Sequence, residues 1–116
     1  MYKLIKNYFS FKDERGEIKG LINFDSWQEI NHITSFKGTI RGNHYHKKTK
    51  EAVVVLDGKI NVSLNNDNEK ENLILQKGDV IVIEPMTVHT FKMLEDSSWI
   101  NLLTIKNDAK SPDIYK

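Results

Sequence analysis

The chain has 116 residues, with 17 lysines and arginines against 16 aspartates and glutamates, a net charge of +1. That length suits one domain able to bury roughly two-thirds of its unfolded surface. The near-neutral charge gives no electrostatic footprint for nucleic acid or an anionic membrane. The chain has no cysteine, so disulfides, thiolate nucleophiles and sulfur-ligated metals are excluded.

Short apolar runs cut by turn residues dominate the chain from its start. YKLIKNYF (residues 2–9) reads as a first strand, with Lys3 and Lys6 breaking any signal-peptide core. DERG (residues 13–16) follows as a turn, with Gly16 available for positive φ. EIKGLINF, EINHITSF and GTIRGNHY are the next strand candidates. EAVVVLDGKINVSL (residues 51–64) carries the clearest local signal, two apolar strands joined at Asp57-Gly58, which predicts a type I′ hairpin. NNDNEKE is a polar turn, ENLILQ a strand and QKGD a tight turn. DVIVIEP and VHTFKML flank Pro85, and SSWINLLTIK closes the set.

No segment keeps the 3.6-residue apolar period for three turns, and no apolar run approaches the ~18 residues of a membrane span. About ten regularly spaced strands predict an all-β sandwich or barrel. The tail NDAKSPDIYK (residues 107–116) is polar and holds Pro112, so it reads as a strap or frayed end. A single domain over residues 1–116, acting in the cytoplasm, is the expectation.

Three of the four histidines stand out. His44 and His46 lie two apart in a strand context and share a face. Glu51 opens EAVVVL, and His89 follows Pro85 in a distant strand. Three imidazoles and a carboxylate make a nitrogen-and-oxygen donor set for Zn, Mn, Ni or Fe, with positions left open for substrate or water. His32 has no such company and reads as structural. Trp27 and Trp99 read as core or interface aromatics. Lys47, Lys48 and Lys50 read as a solvated face ended by Glu51.

The spacing Gly38, five residues, His44-x-His46, four residues, Glu51, six residues, Gly58 resembles the first motif of the cupin superfamily. A second motif runs from Gly78 to Met93 with His89 in place. Pro85 comes one position late, Thr87 falls near a usual glycine, and Met93 replaces a usual asparagine. The resemblance covers about residues 30–105 and implies a cupin double-stranded β-helix, a jelly-roll barrel of two antiparallel sheets. FKDERG (residues 11–16) and SFKGTIRGNHYHK narrow it to the RmlC-like branch. That branch includes dTDP-4-keto-6-deoxyhexose 3,5-epimerases, dTDP-sugar 3,4-ketoisomerases and the metal-bearing cupin domain of capsular polysaccharide enzymes.

The resemblance implies an isomerase or epimerase acting on a nucleotide-linked keto-deoxysugar for bacterial surface polysaccharide, with no organic cofactor. It nominates His44 as base, Tyr45 as partner acid and His46 beside them. Arg41, Asn43 and Lys48 are candidate substrate contacts, Arg41 and Lys48 as cations for the nucleotide diphosphate, and Arg41 has an ion pair with a carboxylate such as Asp79 as its alternative role. It further implies a homodimer that exchanges N-terminal strands. His44 cannot both bind a metal and take a substrate proton on one nitrogen, so two readings compete at that residue. A metal-dependent dioxygenase using His44, His46, Glu51 and His89 is a rival activity, and a non-catalytic sugar- or metal-binding module is another.

Overall fold

Period-two alternation of apolar and polar side chains is realised as strands throughout the computed structural model, which describes residues 1–116. In chain order these are β1 (Tyr2–Leu4), β2 (Phe9–Asp13), β3 (Gly16–Gly20), β4 (Glu29–Ser35), β5 (Ile40–His44), β6 (Glu51–Asp57), β7 (Lys59–Asn65), β8 (Lys70–Gln76), β9 (Val80–Ile83), β10 (Val88–Met93) and β11 (Ser97–Leu103). There is no helix, and hence none long and apolar enough to cross a membrane. A five-stranded sheet runs β1-β9-β6-β11-β4 and a four-stranded sheet runs β5-β10-β7-β8, all antiparallel. A separate ribbon pairs β2 with β3. This is the jelly-roll architecture expected.

The core lies between the two sheets. Ile60, Val62 and Leu64 point into it from β7, with the intervening polar residues facing outward. They meet Phe91 and Met93 from β10, Val53 and Val55 from β6, and Trp99 from β11. Each such side chain contributes about 1.5–3 kcal/mol by leaving water. Met93 is 1% exposed, so the residue standing where the motif usually has asparagine serves as core packing.

Two local expectations are corrected. Asp57-Gly58 does not close a hairpin: β6 pairs with β9 and β11, β7 with β8 and β10. Asp57 does not adopt positive φ, which a type I′ turn requires at both central residues. Both edges of β6 are taken, so the chain crosses to the opposite sheet. Gly58 (φ 94°) is needed because a side chain there would collide with the Ser97 hydroxyl and the Asp96 carbonyl. YKLIKNYF is likewise not one strand. Tyr2–Leu4 pairs with β9 of its own chain, and the next strand begins only at Phe9.

The β2–β3 ribbon leaves Tyr8, Phe9, Phe11 and Ile18 exposed. At the other terminus the tail is docked as a strap. Tyr45 and Tyr115 exchange backbone hydrogen bonds, N to O, at 2.8 and 3.0 Å.

Candidate functional site

Adjacent strand positions bring the histidines together. His44 ends β5 directly opposite His89 on β10. Two residues on, His46 returns to the same side, and Glu51 opens β6 beneath it. The potential donor atoms of His44, His46, Glu51 and His89 all lie within 4.8 Å of one another. Ring centroids are 4.7 Å apart for His44 and His89, and 5.1 Å for the other two histidine pairs. The four residues nominated from sequence therefore form one cluster.

A bulge decides what else faces them. Pairing of β5 with β10 slips between His89 and Thr90, opposite Gly42 (φ 88°) and Asn43 (φ 60°). Strict alternation would send Arg41 and His44, three residues apart, to opposite faces. Asn43 absorbs the extra residue, so both line the same cavity.

Proton positions in the cluster follow from its backbone partners. A carbonyl only accepts, so the Nδ1–H of His46 donates to Asp113 O (2.6 Å) and that of His89 to Thr87 O (3.0 Å). In the neutral rings both Nε2 atoms then carry lone pairs. Those atoms lie 3.1 and 3.5 Å from the same oxygen, Glu51 Oε1. His89 is wholly buried and its Nε2 has no hydrogen-bond partner.

Without an ion, the charges favour an ionised Glu51 and a proton on His46. Burial pushes the Glu51 carboxyl up, but the His46 and His89 imidazoles outweigh it and hold its pKa at about 2. His46 is pulled down by burial, yet Glu51 and the Asp113 carbonyl raise it on balance. His44 is pushed down to about 4 by burial and then by its two histidine neighbours, so it stands neutral at pH 7.

The cluster opens into a cavity of about 540 Å³ between the sheets. Phe91 and Trp99 give it an apolar floor. One wall is polar: Asn31 Nδ2 donates to Glu29 Oε2 (2.9 Å) and to Asn101 Oδ1 (3.0 Å). The Asn31 bond, then the Asn107 amide, hold the Glu29 carboxyl below its usual range. Three cations line the cavity, Arg41, Lys48 and Lys106, and none has a carboxylate partner. Arg41 donates instead to the Ser35 hydroxyl and the Thr34 carbonyl, and it makes no pair with Asp79.

Not every nominee reaches this space. Tyr45 points away from it, its ring centroid 5.6 Å from that of Tyr115, because alternation after His44 turns it outward. Asn43 is exposed on the bulge. Lys47 lies over the Tyr115 ring, and Lys50 pairs with Asp25. His32 faces outward against the Ser98 hydroxyl. The turn before His89 closes without glycine: Met86 takes φ 67° and its amide donates to His46 O.

Sequence reasoning missed Asp113, Lys106, Tyr115 and the Glu29–Asn31–Asn101 wall. An asparagine on the inward face between Trp99 and Leu103 was the one legible signal. Nothing local marks Asp113, whose partners lie more than sixty residues away.

The family model of the polysaccharide biosynthesis C-terminal domain matches residues 11–115. The chain belongs to this family. No curated protein matches it in sequence.

Among solved structures, this polysaccharide biosynthesis domain is similar to the sugar 3,4-ketoisomerase QdtA from Thermoanaerobacterium thermosaccharolyticum in complex with TDP. The two are 19% identical with TM-score 0.79, over 97% of this chain and 85% of that one. The TDP-quinovose 3,4-ketoisomerase WlaRB from Campylobacter jejuni gives 17% identity and TM-score 0.82, over 98% and 91%. The dTDP-6-deoxy-D-glucose-3,5-epimerase RmlC from Legionella pneumophila, in complex with dTDP-4-keto-L-rhamnose, gives 18% and 0.73, over 96% and 76%. The domain thus has the RmlC-like cupin fold.

Proposed function

We propose that His44, His46, Glu51 and His89 hold a divalent metal ion, and that the cavity takes a nucleotide-linked keto-deoxysugar for isomerisation or epimerisation. The observation that carries the metal is the buried Nε2 of His89. It lies 3.5 Å from the Glu51 carboxylate oxygen and has no hydrogen-bond partner. An unpartnered buried polar atom of this kind costs about 1–3 kcal/mol. A cation shared by Glu51 and the three imidazoles removes that cost, and the donor set suits Zn, Mn, Ni or Fe.

The same geometry favours His44 as ligand over His44 as base. Its ring is neutral, as ligation requires, and a base with a pKa of about 4 is poorly matched to neutral pH. When bound, the ion supplies a Lewis acid for a substrate oxygen beside the ketone. The chain's own groups do the rest. Arg41, Lys48 and Lys106, lacking carboxylate partners, offer the charge a diphosphate needs, Arg41 through a planar fork. Asn31, Asn101 and Glu29 offer donors and acceptors to sugar hydroxyls.

The ketoisomerase QdtA binds TDP and the epimerase RmlC a dTDP-keto-sugar, and the three free cations support carrying that ligand class to this chain. The same cations favour an anionic substrate over the small neutral ones of a dioxygenase. A nucleotide-linked substrate also favours the cytoplasm as the place of action. A homodimer fits the exposed aromatic face of β2–β3 and the free edge of β4, and a sedimentation mass of one chain at micromolar concentration would overturn it.

The test is elemental analysis of the purified protein, then incubation with dTDP-4-keto-6-deoxyglucose in heavy water. Deuterium should enter at carbons beside the ketone, stop after chelation and resume with added metal. Exchange that survives complete chelation would remove the metal from the chemistry. No exchange, with saturable nucleotide-sugar binding, would leave a binding module. Oxygen consumption with a catechol or thiol but not with the sugar would select the dioxygenase.

A further inference from the structure

The loop between His46 and Glu51 has almost no sheet to hold it. Its successive amides of Lys47, Lys48 and Thr49 donate instead to one carboxylate, that of Asp113, each at 2.9 Å. The Thr49 hydroxyl adds a fourth bond at 2.8 Å. The carbonyl of the same residue accepts the Nδ1–H of His46, and two residues on Tyr115 is bridged to Tyr45. One residue of the C-terminal strap therefore holds both the loop backbone and the imidazole at its head.

We infer that Asp113 is a positioning residue: by docking the strap on residues 46–49 it sets the ring orientation of His46, and through it the geometry of the four-residue cluster. His44 and His89 face each other across paired strands and Glu51 opens a buried one, so the ladder aims them. His46 lies beyond the end of β5 and has no such support. The Asp113 carbonyl fixes its tautomer, leaving Nε2 with the lone pair directed at the cluster. That carbonyl is in place only while the carboxylate three bonds away is anchored to the loop amides. The strap also walls the cavity, through Ser111, Asp113, Ile114 and Tyr115.

The inference rests on the metal reading in one arm of its test and stands apart from it in the other. In the first arm, Co²⁺ is titrated into the full chain and its Asp113→Ala variant, following affinity and the visible d–d absorption. Loss of a group that orients a ligating histidine typically weakens metal affinity about 10–100-fold. The variant is expected to fall in that range with an altered spectrum. In the second arm, the His46 Nδ1–H is followed by proton–nitrogen NMR in metal-free protein. A protected, downfield signal is expected in the parent chain and its loss in Asp113→Ala.

A folded variant with unchanged Co²⁺ affinity, spectrum and imidazole signal would overturn the inference and leave Asp113 a loop staple. If Asp113→Ala does not fold, Thr49→Val decides by the same readouts, since it removes only the hydroxyl bond. A few-fold loss of Co²⁺ affinity is then expected, and no change in any readout is the overturning result. If the parent chain binds no Co²⁺, the metal reading fails, and the imidazole signal alone judges the strap.

Discussion

Two kinds of support meet at the cluster. His89 and Glu51 sit on β10 and β6, whose neighbours on both sides are paired and whose faces are sealed by core side chains. His46 sits in a loop outside the ladders, where one distant residue takes the Lys47, Lys48 and Thr49 amides and the His46 ring, beside a single Met86 amide on the His46 carbonyl. Ladder hydrogen bonds are redundant, so losing one leaves its neighbours in register. A carboxylate that collects four donors is not redundant, and its loss frees the whole loop at once. The difference separates a rigid half of the site from a strapped half.

The sharpest way to break that comparison is to remove a ligand from the rigid half. Glu51→Gln should lower metal affinity by more than about 100-fold, beyond the range of any outer group, as measured by competition with a chromophoric chelator. Retention of parent affinity would remove Glu51 from the donor set. Next in size is the open end of the cavity. Lys106→Ala should weaken dTDP binding about tenfold, the loss of one charge-assisted contact of about 1.5 kcal/mol, with metal content unchanged. Calorimetry showing equal affinity would leave Lys106 a solvated rim residue.

Acid should sharpen the comparison in the metal-free protein. His44 has a folded pKa lowered from 6.5 to about 4, so the unfolded chain binds more protons between those values and stability falls as pH drops below 6.5. Glu51, lowered from 4.5 to about 2, continues the loss below pH 4.5. Asp113, also held at about 2, adds to it below its ordinary value of 3.8. Burial alone would raise the Asp113 carboxyl, but the loop amides it accepts from outweigh that. His46 is raised, so its contribution is full below 6.5 and is lost as pH climbs through its folded value. The melting temperature of metal-free protein should therefore peak near pH 6.5, whereas a flat profile from 6.5 to 4 would contradict the burial of His44.

The smallest effect is dynamic. Amides of Lys47, Lys48 and Thr49 should exchange with heavy water faster than those of β10, because their release needs only local undocking of the strap. Equal protection would mean that the loop opens only with the whole barrel. In the barrel itself, Gly58→Ala should cost about 2 kcal/mol in urea unfolding, through its positive φ and its approach to Asp96 and Ser97.

Much of this was legible in one dimension. Alternation in KINVSLN and the run of VIVI state which faces are buried, because side-chain direction in a strand depends only on parity. The ligands were readable because residue type and spacing both constrain a donor set. Parity alone would separate Arg41 from His44, and only the bulge at Asn43 reunites them. Asp57-Gly58 carried the right residues for a turn, yet whether a turn becomes a hairpin depends on free edges, and β6 had none.

By itself the sequence determined an all-β barrel through its local period, and its resemblance to a known motif nominated the four members of the cluster. Tertiary structure alone decided that Arg41 and Lys106 share a cavity with His44, and that Asp113 holds His46. Those outcomes depend on strand register, a single-residue bulge and the docking of a tail across more than sixty residues of chain. Such contacts are set by closure of the whole barrel, and no local pattern encodes them.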